Sequence, residues 1–427
     1  MRQVAQSRRP APSGARISHR ADANAPATLA SGMFEEPSGW PRGLFEECPF
    51  GLILTDGEGR VRSVNGRAAE LILPGGGDPQ GSGSCCELIC DELNQHQNGG
   101  ARTTCLTDRA LAAGAPLPEA PLDIDRGGVR KSVWVSASAI GGQDGQVVMY
   151  LRPADRNGNG DRAPHDVGTD RAARGEINGL RIYTLGRTRV ETAGVELGHA
   201  WLDQRPGELL QYLVCNRHRL AASDQISEAL WPDTSPWSSN SLRHQVHVLR
   251  DKLEPNRPTG GQSSYVATQR GGYRLDARVW IDADEFEAQV HSGLSMFVKG
   301  KEGSASSLLE RALSLYKGDF FTESPYAEWA LDERDRLREL AGRGLSALIN
   351  VRRAEGDLDA AAAYARRRAE MEPYDMDVQR DFLEICLKQG RRSAAIRRYS
   401  LLRTRMCREF GHGPDFALSD LNGRTSV

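Results

Sequence analysis

Apolar residues recur in two rhythms along the chain, and each change of rhythm marks a change of element. Gly51-Leu52-Ile53-Leu54-Thr55-Asp56 is a short apolar run followed by the turn chemistry of Gly57-Glu58-Gly59, which predicts a strand and a reversal. Arg60-Val61-Arg62-Ser63-Val64 alternates, and Asn65 then stands where it can cap a helix through Ala68, Ala69 and Leu71. Val133-Trp134-Val135 and Val147-Val148-Met149-Tyr150-Leu151 predict a hairpin around Gly141, Gly142 and Gly145. Farther on, Leu180–Gly186, Arg189-Val190-Glu191 and Val195-Glu196-Leu197 predict a small antiparallel sheet.

The rhythm then becomes helical. Pro206 occupies a first helical position, with Leu209, Leu210, Leu213 and Val214 behind it. Ser223-Asp224 is expected to cap a short helix through Ile226, Ala229, Leu230 and Trp231, which Pro232 stops. The next helix begins at Pro236 or Ser238, and Leu242, Val246, Leu249 and Leu253 form one stripe on it. The opposite face carries Asn240, His244, His247, Val248 and Asp251, flanked by Arg243 and Arg250. Tyr265–Thr268 and Tyr273-Arg274-Leu275 predict a last hairpin, with Arg270 at a tip whose glycines, Gly271 and Gly272, permit a positive φ.

From residue 304 onward the pattern is almost purely helical: Leu308–Tyr316, Trp329–Ile349, Leu358–Met371, Val378–Lys388 and Ser393–Glu409. Breaks at Gly318, Gly356, Pro373 and Gly390 space the last pairs about 35–38 residues apart, a period typical of stacked helix hairpins. Arg366-Arg367-Arg368 is expected to be a solvated face. Residues 1–40 are Ala-, Pro-, Ser-, Gly- and Arg-rich without periodicity, and are expected to be disordered. Residues 153–177, with Asn157-Gly158-Asn159-Gly160, are expected to be a flexible linker. Three folded units remain, 41–152, 178–280 and 281–427, making a multidomain α+β protein.

Composition adds exclusions. The net charge of −2 over 427 residues says little, but residues 180–279 hold 13 Lys/Arg against 10 Asp/Glu, a small positive excess compatible with DNA. Nothing approaches the roughly 18–20 apolar residues of a membrane helix, so no membrane partner is expected. The N-terminal arginines lack an apolar segment behind them, which points to a cytoplasmic protein. Of eight cysteines, Cys215, Cys386 and Cys407 stand singly in helical patterns and are expected to be buried thiols. Cys85, Cys86, Cys90 and Cys105 cluster loosely. Such thiolates can ligate zinc or an iron–sulfur cluster or act as a redox switch, but the spacing matches no standard run, and incidental packing is the plainer reading. No cofactor is required, and a ligand or metal in the first unit stays open. No GxxxxGK[ST], HExxH or GxSxG motif occurs, so an enzyme is not expected.

Three resemblances give these units a meaning. "LILTDGEGRVRSVNGRAAEL" resembles a PAS domain, which implies an α/β sensor that holds a small molecule, haem or flavin, or only a dimerisation surface. "EALWPD", "SLRHQVHVLRDKL" and "RGGYRLD" resemble the winged helix-turn-helix of SARP-type transcriptional activators. "GDLDAAAAYARRRAEMEPYD" with "QGRRSAAIRRYSLLRTRMCREFGHGP" resembles the tetratricopeptide-like, all-α bacterial transcriptional activator domain of the same family. The resemblance implies a sequence-specific regulator, an activator, with residues 238–253 in the major groove and a wing at 265–275 on the backbone. By position it brings Asn240, Ser241, Arg243, His244, His247, Arg250, Lys252 and Arg270 to duplex DNA. It also implies RNA polymerase as a partner and a homodimer on DNA. The competing reading is a PAS and solenoid scaffold with a degenerate DNA-binding unit.

Overall fold

The computed structural model describes residues 43–72, 84–89, 105–113, 116–126, 129–140, 145–154, 179–232, 238–257 and 261–422. The expected disordered segment 1–40, nearly all of the linker and the hairpin glycines Gly141 and Gly142 lie outside them.

The first unit is built on a five-stranded antiparallel sheet. Its strands are β1 (Gly51–Thr55), β2 (Val61–Val64), β3 (Ala120–Arg126), β4 (Val129–Ala139) and β5 (Val147–Pro153), in the order β2-β1-β5-β4-β3. Short helices α1 (Leu44–Glu47), α2 (Gly66–Ile72), α3 (Cys85–Ile89) and α4 (Leu106–Ala113) accompany it. Asn65 caps α2 through Oδ1 to the Ala68 amide at 2.9 Å. The same oxygen accepts from the Leu52 amide at 2.8 Å, so one buried side chain ties helix to strand. Asp56 closes the β1–β2 turn by accepting from the Glu58 and Arg60 amides. Strand β3 alternates, with Ala120, Leu122 and Ile124 buried and Asp123 and Asp125 at the alternate positions, and β4 is long enough to pair with both β3 and β5.

The second unit opens on a sheet of β6 (Leu180–Tyr183), β7 (Arg189–Thr192), β8 (Val195–Glu196) and β12 (Trp280–Ile281), with β12 parallel to β6. Helices α5 (Arg205–Cys215), α6 (Ser223–Leu230) and α7 (Ser238–Leu253) follow. Then β9 (Ala221–Ala222), β10 (Val266–Gln269) and β11 (Gly272–Leu275) form a second small sheet in the order β10-β11-β9. The stripe expected on α7 is buried in full: Leu242 and Val246 are 2% exposed, Leu249 and Leu253 0%. The expected Ser223-Asp224 cap is corrected. Ser223 is the first residue of α6, no side chain caps it, and the Ser223 amide instead donates to the Gly271 carbonyl at the hairpin tip.

The remainder is helical: α8 (Asp282–Val298), α9 (Glu302–Leu315), α10 (Leu331–Ala354), α11 (Leu358–Met371), α12 (Met376–Lys388), α13 (Arg392–Phe410) and α14 (Leu418–Asn422). Helices adjacent in sequence pack on one another from α8 through α13. Asp357 and Asp375 cap α11 and α12 through side-chain oxygens, which fixes where each helix begins. The expected solvated face at Arg366–Arg368 is corrected, because only Arg366 is exposed. Arg367 donates to the Leu313 and Tyr316 carbonyls and Arg368 to the Ser346 hydroxyl, so these cations clamp neighbouring helices. Cys386 is buried as expected and Cys215 partly so, but Cys407 is exposed on α13.

The second and third units share one core. The Asp282 carboxylate at the start of α8 accepts from the Thr184 amide and hydroxyl, both at 2.7 Å, and from the Leu185 amide at 3.1 Å. Arg217, only 7% exposed at the end of α5, donates to Asp284 at 2.6 Å and Glu333 at 2.9 Å. Arg336 on α10 extends this network with a two-pronged bond to Glu287, both contacts 2.8 Å, and another to Glu333. The first unit also rests on the helices. Trp134 on β4 is fully buried, with the guanidiniums of Arg152 and Arg343 each 5.1 Å from its ring centre and His291 of α8 in a T-shaped contact with it.

Candidate nucleic-acid interface

The surface available to DNA is fixed from beneath. With Leu242, Val246, Leu249 and Leu253 turned into the core, helical geometry turns the intervening residues of α7 outward. Ser241, Arg243, His244, His247, Asp251 and Lys252 are all exposed. Arg243, His244 and Lys252 make no hydrogen bond or ion pair with another described residue, so their donors face water. Asn240 lies in the first turn of α7; its side chain is outside what the structure describes. Within each strand of the hairpin Ala267, Gln269 and Arg274 alternate with the inward Val266, Tyr273 and Leu275.

Arg250 stands apart. It is half-buried, and its guanidinium donates to the Val266 carbonyl at 3.1 and 2.8 Å and to the Thr268 hydroxyl at 2.7 Å. It therefore braces the wing against α7, a role its place on the helical wheel does not reveal. Asp251, the one acidic residue on this face, is engaged as well: Arg257 donates to it at 2.7 Å, and His247 lies 3.5 Å from its other oxygen. Its charge is thus partly balanced before any phosphate approaches.

Two glycines shape the wing. Gly271 has φ +90, a conformation that L side chains rarely adopt, and it turns the chain between β10 and β11. At Gly272 a Cβ would lie 2.1 Å from the Ala221 carbonyl oxygen, so only glycine lets β9 pair with β11. These contacts leave Arg270 exposed at the tip, without a bond to another described residue. Arg274, also exposed, faces the same solvent. The alternation of Arg274 with Tyr273 and Leu275 is the one sequence signal for its outward position.

Of the loose cysteine cluster, Cys85 and Cys105 lie together beside the first sheet. Cys86 is in α3 with its side chain undescribed, and Cys90 lies outside the described residues. Among the described residues no three His, Cys, Asp or Glu side chains are grouped to hold a metal ion. No helix among them is long and apolar enough to cross a membrane.

A buried-stripe helix behind a glycine-tipped wing, on a three-helix core, defines a winged-helix region of the kind that transcription regulators carry. Comparison with known proteins agrees: residues 199–275 match the family described as Transcriptional regulatory protein, C terminal, and residues 281–424 match the Bacterial transcriptional activator domain. In that order the two matches fit a DNA-binding transcriptional activator of the SARP type, and both families are transcriptional regulator domains. No curated protein matches the chain. Among solved structures it is similar to one described as Mycobacterium tuberculosis EmbR in complex with low affinity phosphopeptide, at 23% identity and a TM-score of 0.45. That similarity covers 57% of this chain and 64% of the other, so the chain spans less than two thirds of its length.

Proposed function

We propose that the chain is a cytoplasmic one-component switch that activates transcription from specific sites on duplex DNA. The observation that carries this reading is the division of labour on α7. Its apolar side is sealed into the core, while Arg243, His244, His247 and Lys252 are exposed together with Ser241. Arginine reads guanine edges with two donors, and serine and histidine bond to bases or phosphates, so this face suits the major groove. The wing presents Arg270 and Arg274 for the sugar–phosphate backbone, and Arg250 holds the wing at a fixed angle to the helix. The activator domain then offers its helices to RNA polymerase, and a homodimer occupies the site.

The first unit serves as the input. Its five-stranded sheet, with helices inserted between β2 and β3, supports a PAS-like reading, and the paired helices of the third unit support a tetratricopeptide-like one. The packing of buried Trp134 against Arg343 and His291 makes the input part of the same packed body as the activator helices. A scaffold with a degenerate DNA-binding unit would have no reason to keep Arg243 and Lys252 of α7 and Arg270 of the wing exposed without a bond to another described residue.

Selection of bound fragments from genomic DNA, followed by footprinting, tests the reading. We expect one enriched motif with a protected site. Direct repeats a helical turn apart would indicate a head-to-tail dimer, and inverted repeats a two-fold one. Retention of fragments irrespective of sequence would refute it.

A further inference from the structure

Cys85 opens α3 and Cys105 directly precedes α4, and their sulfurs lie 2.9 Å apart. The pair is held from several sides. The Cys85 amide donates to the Gly59 carbonyl at 2.9 Å, and Gly59 itself has φ +77 in the β1–β2 turn. A Cβ on Gly59 would stand 3.5 Å from the Cys85 sulfur and 3.7 Å from that of Cys105, so the turn closes over both. The Thr107 hydroxyl is 3.4 Å from the Cys85 sulfur and 3.3 Å from the Thr55 hydroxyl of β1. Cys85 is buried, whereas Cys105 is partly exposed.

The spacing distinguishes the chemistries open to two thiols. Thiolates sharing a tetrahedral zinc at about 2.3 Å each stand about 3.8 Å apart. A disulfide requires about 2.05 Å. At 2.9 Å the two sulfurs are nearer than metal sharing allows and within about 1 Å of a covalent bond.

We propose that Cys85 and Cys105 are a reversible dithiol–disulfide site, oxidised by hydrogen peroxide. The Cys105 thiolate attacks the O–O bond, which breaks to release water after protonation and leaves a sulfenic acid. The Cys85 thiol then attacks that sulfur, the S–S bond forms, the S–O bond breaks, and a second water leaves. Two thiols have lost two hydrogens and the peroxide has become two waters; a small thiol reverses the change by disulfide exchange. The bond is placed to be felt elsewhere. The Cys105 carbonyl accepts from the Arg109 amide at 3.0 Å, one turn along α4. The Arg109 guanidinium lies 3.7 Å from the centre of the Phe297 ring on α8, and 3.8 Å from Glu302 on α9. Linking Cys105 to α3 pins the base of α4, and Arg109 transmits that restraint to the α8–α9 hairpin. The transmission deepens the input role proposed above, while the bond itself does not depend on it.

The test uses the full chain, reduced, desalted, treated with hydrogen peroxide, alkylated and mapped without reductant. The expected product is one cross-linked peptide pair joining Cys85 and Cys105, two hydrogens lighter and restored by dithiothreitol. Cys105→Ser should abolish it without lowering the melting temperature, whereas Cys407→Ser should leave it unchanged. Separate alkylation of Cys85 and Cys105 after peroxide, or links to Cys86 or Cys90 in their place, would overturn the assignment. Hydrogen exchange over residues 290–302 should shift on oxidation, and Arg109→Ala should remove that shift while the cross-link still forms. A cross-link with unchanged exchange would overturn the transmission alone.

Discussion

Replacing Arg217 by alanine should lower stability by about 3–5 kcal/mol, the usual consequence of removing one partner from a buried charge network. Burial disfavours the Arg217 charge, but Asp284 and Glu333 outweigh it and hold the guanidinium firmly protonated. Without it, Asp284 and Glu333 each lose a charge partner at the junction of α5, α8 and α10, and the site becomes more negative by one charge. Because these helices belong to both the DNA-binding and activator regions, the two should melt together and earlier, in one shifted calorimetric transition. Two separate transitions, with only one shifted, would show that the regions do not share a core. Acid provides an independent check. Burial pushes the Glu287 carboxyl up, but Arg336 outweighs it and holds it at about 2, against an ordinary 4.5. Burial likewise raises Glu333, and Arg217 and Arg336 bring it below its usual value. Both carboxyls therefore bind protons more readily in the unfolded chain. Their stabilisation is complete above about pH 4.5 and is lost as the pH falls from there toward 2.

Arg243→Ala and Arg270→Ala should weaken DNA binding in different ways. Arg243 projects from α7 and is assigned to a base edge, so its loss should cost about 1–3 kcal/mol and relax the preference at one position of the site. Arg270 at the wing tip is assigned to phosphate. Its loss should weaken all sequences alike and reduce the salt slope by about 1. Binding titrations against the selected site and single-base variants, at several salt concentrations, separate the two signatures. Arg250→Ala should loosen the wing first, because its bonds go to Val266 and Thr268. If Arg243→Ala left the preference at every position intact, its assignment to a base would fail.

Much of the DNA-facing unit was legible because its information is local. The 4-3-4 spacing of Leu242, Val246, Leu249 and Leu253 has one solution on a helix, and burial follows from it. The cap at Asn65 was legible for the same reason: the Ala68 amide it satisfies is three residues away. Long-range partners were not. Arg250 and Arg367 look like exposed cations in any window of sequence, and only the fold brings Val266 and Leu313 to them. The two-residue strands β9 and β12 carry no period of their own and form because a neighbouring strand offers an edge. The Ser223 cap is not formed because the bond from the Ser223 amide to the Gly271 carbonyl accompanies a helix that begins at Ser223 itself, with Ala222 at the capping position. The cysteines show the same limit, because Cys85 and Cys105 meet across 20 residues while Cys86, next to Cys85, does not mark the pair.

The central claim is that α7 enters the major groove. Methylation interference on the selected site measures this directly, because guanine N7 lies in the major groove and adenine N3 in the minor groove. We predict that N7 methylation within the protected site blocks binding of the native chain, and that Arg243→Ala loses sensitivity at one guanine. Interference confined to adenine N3, or none at N7 anywhere in the site, would contradict it.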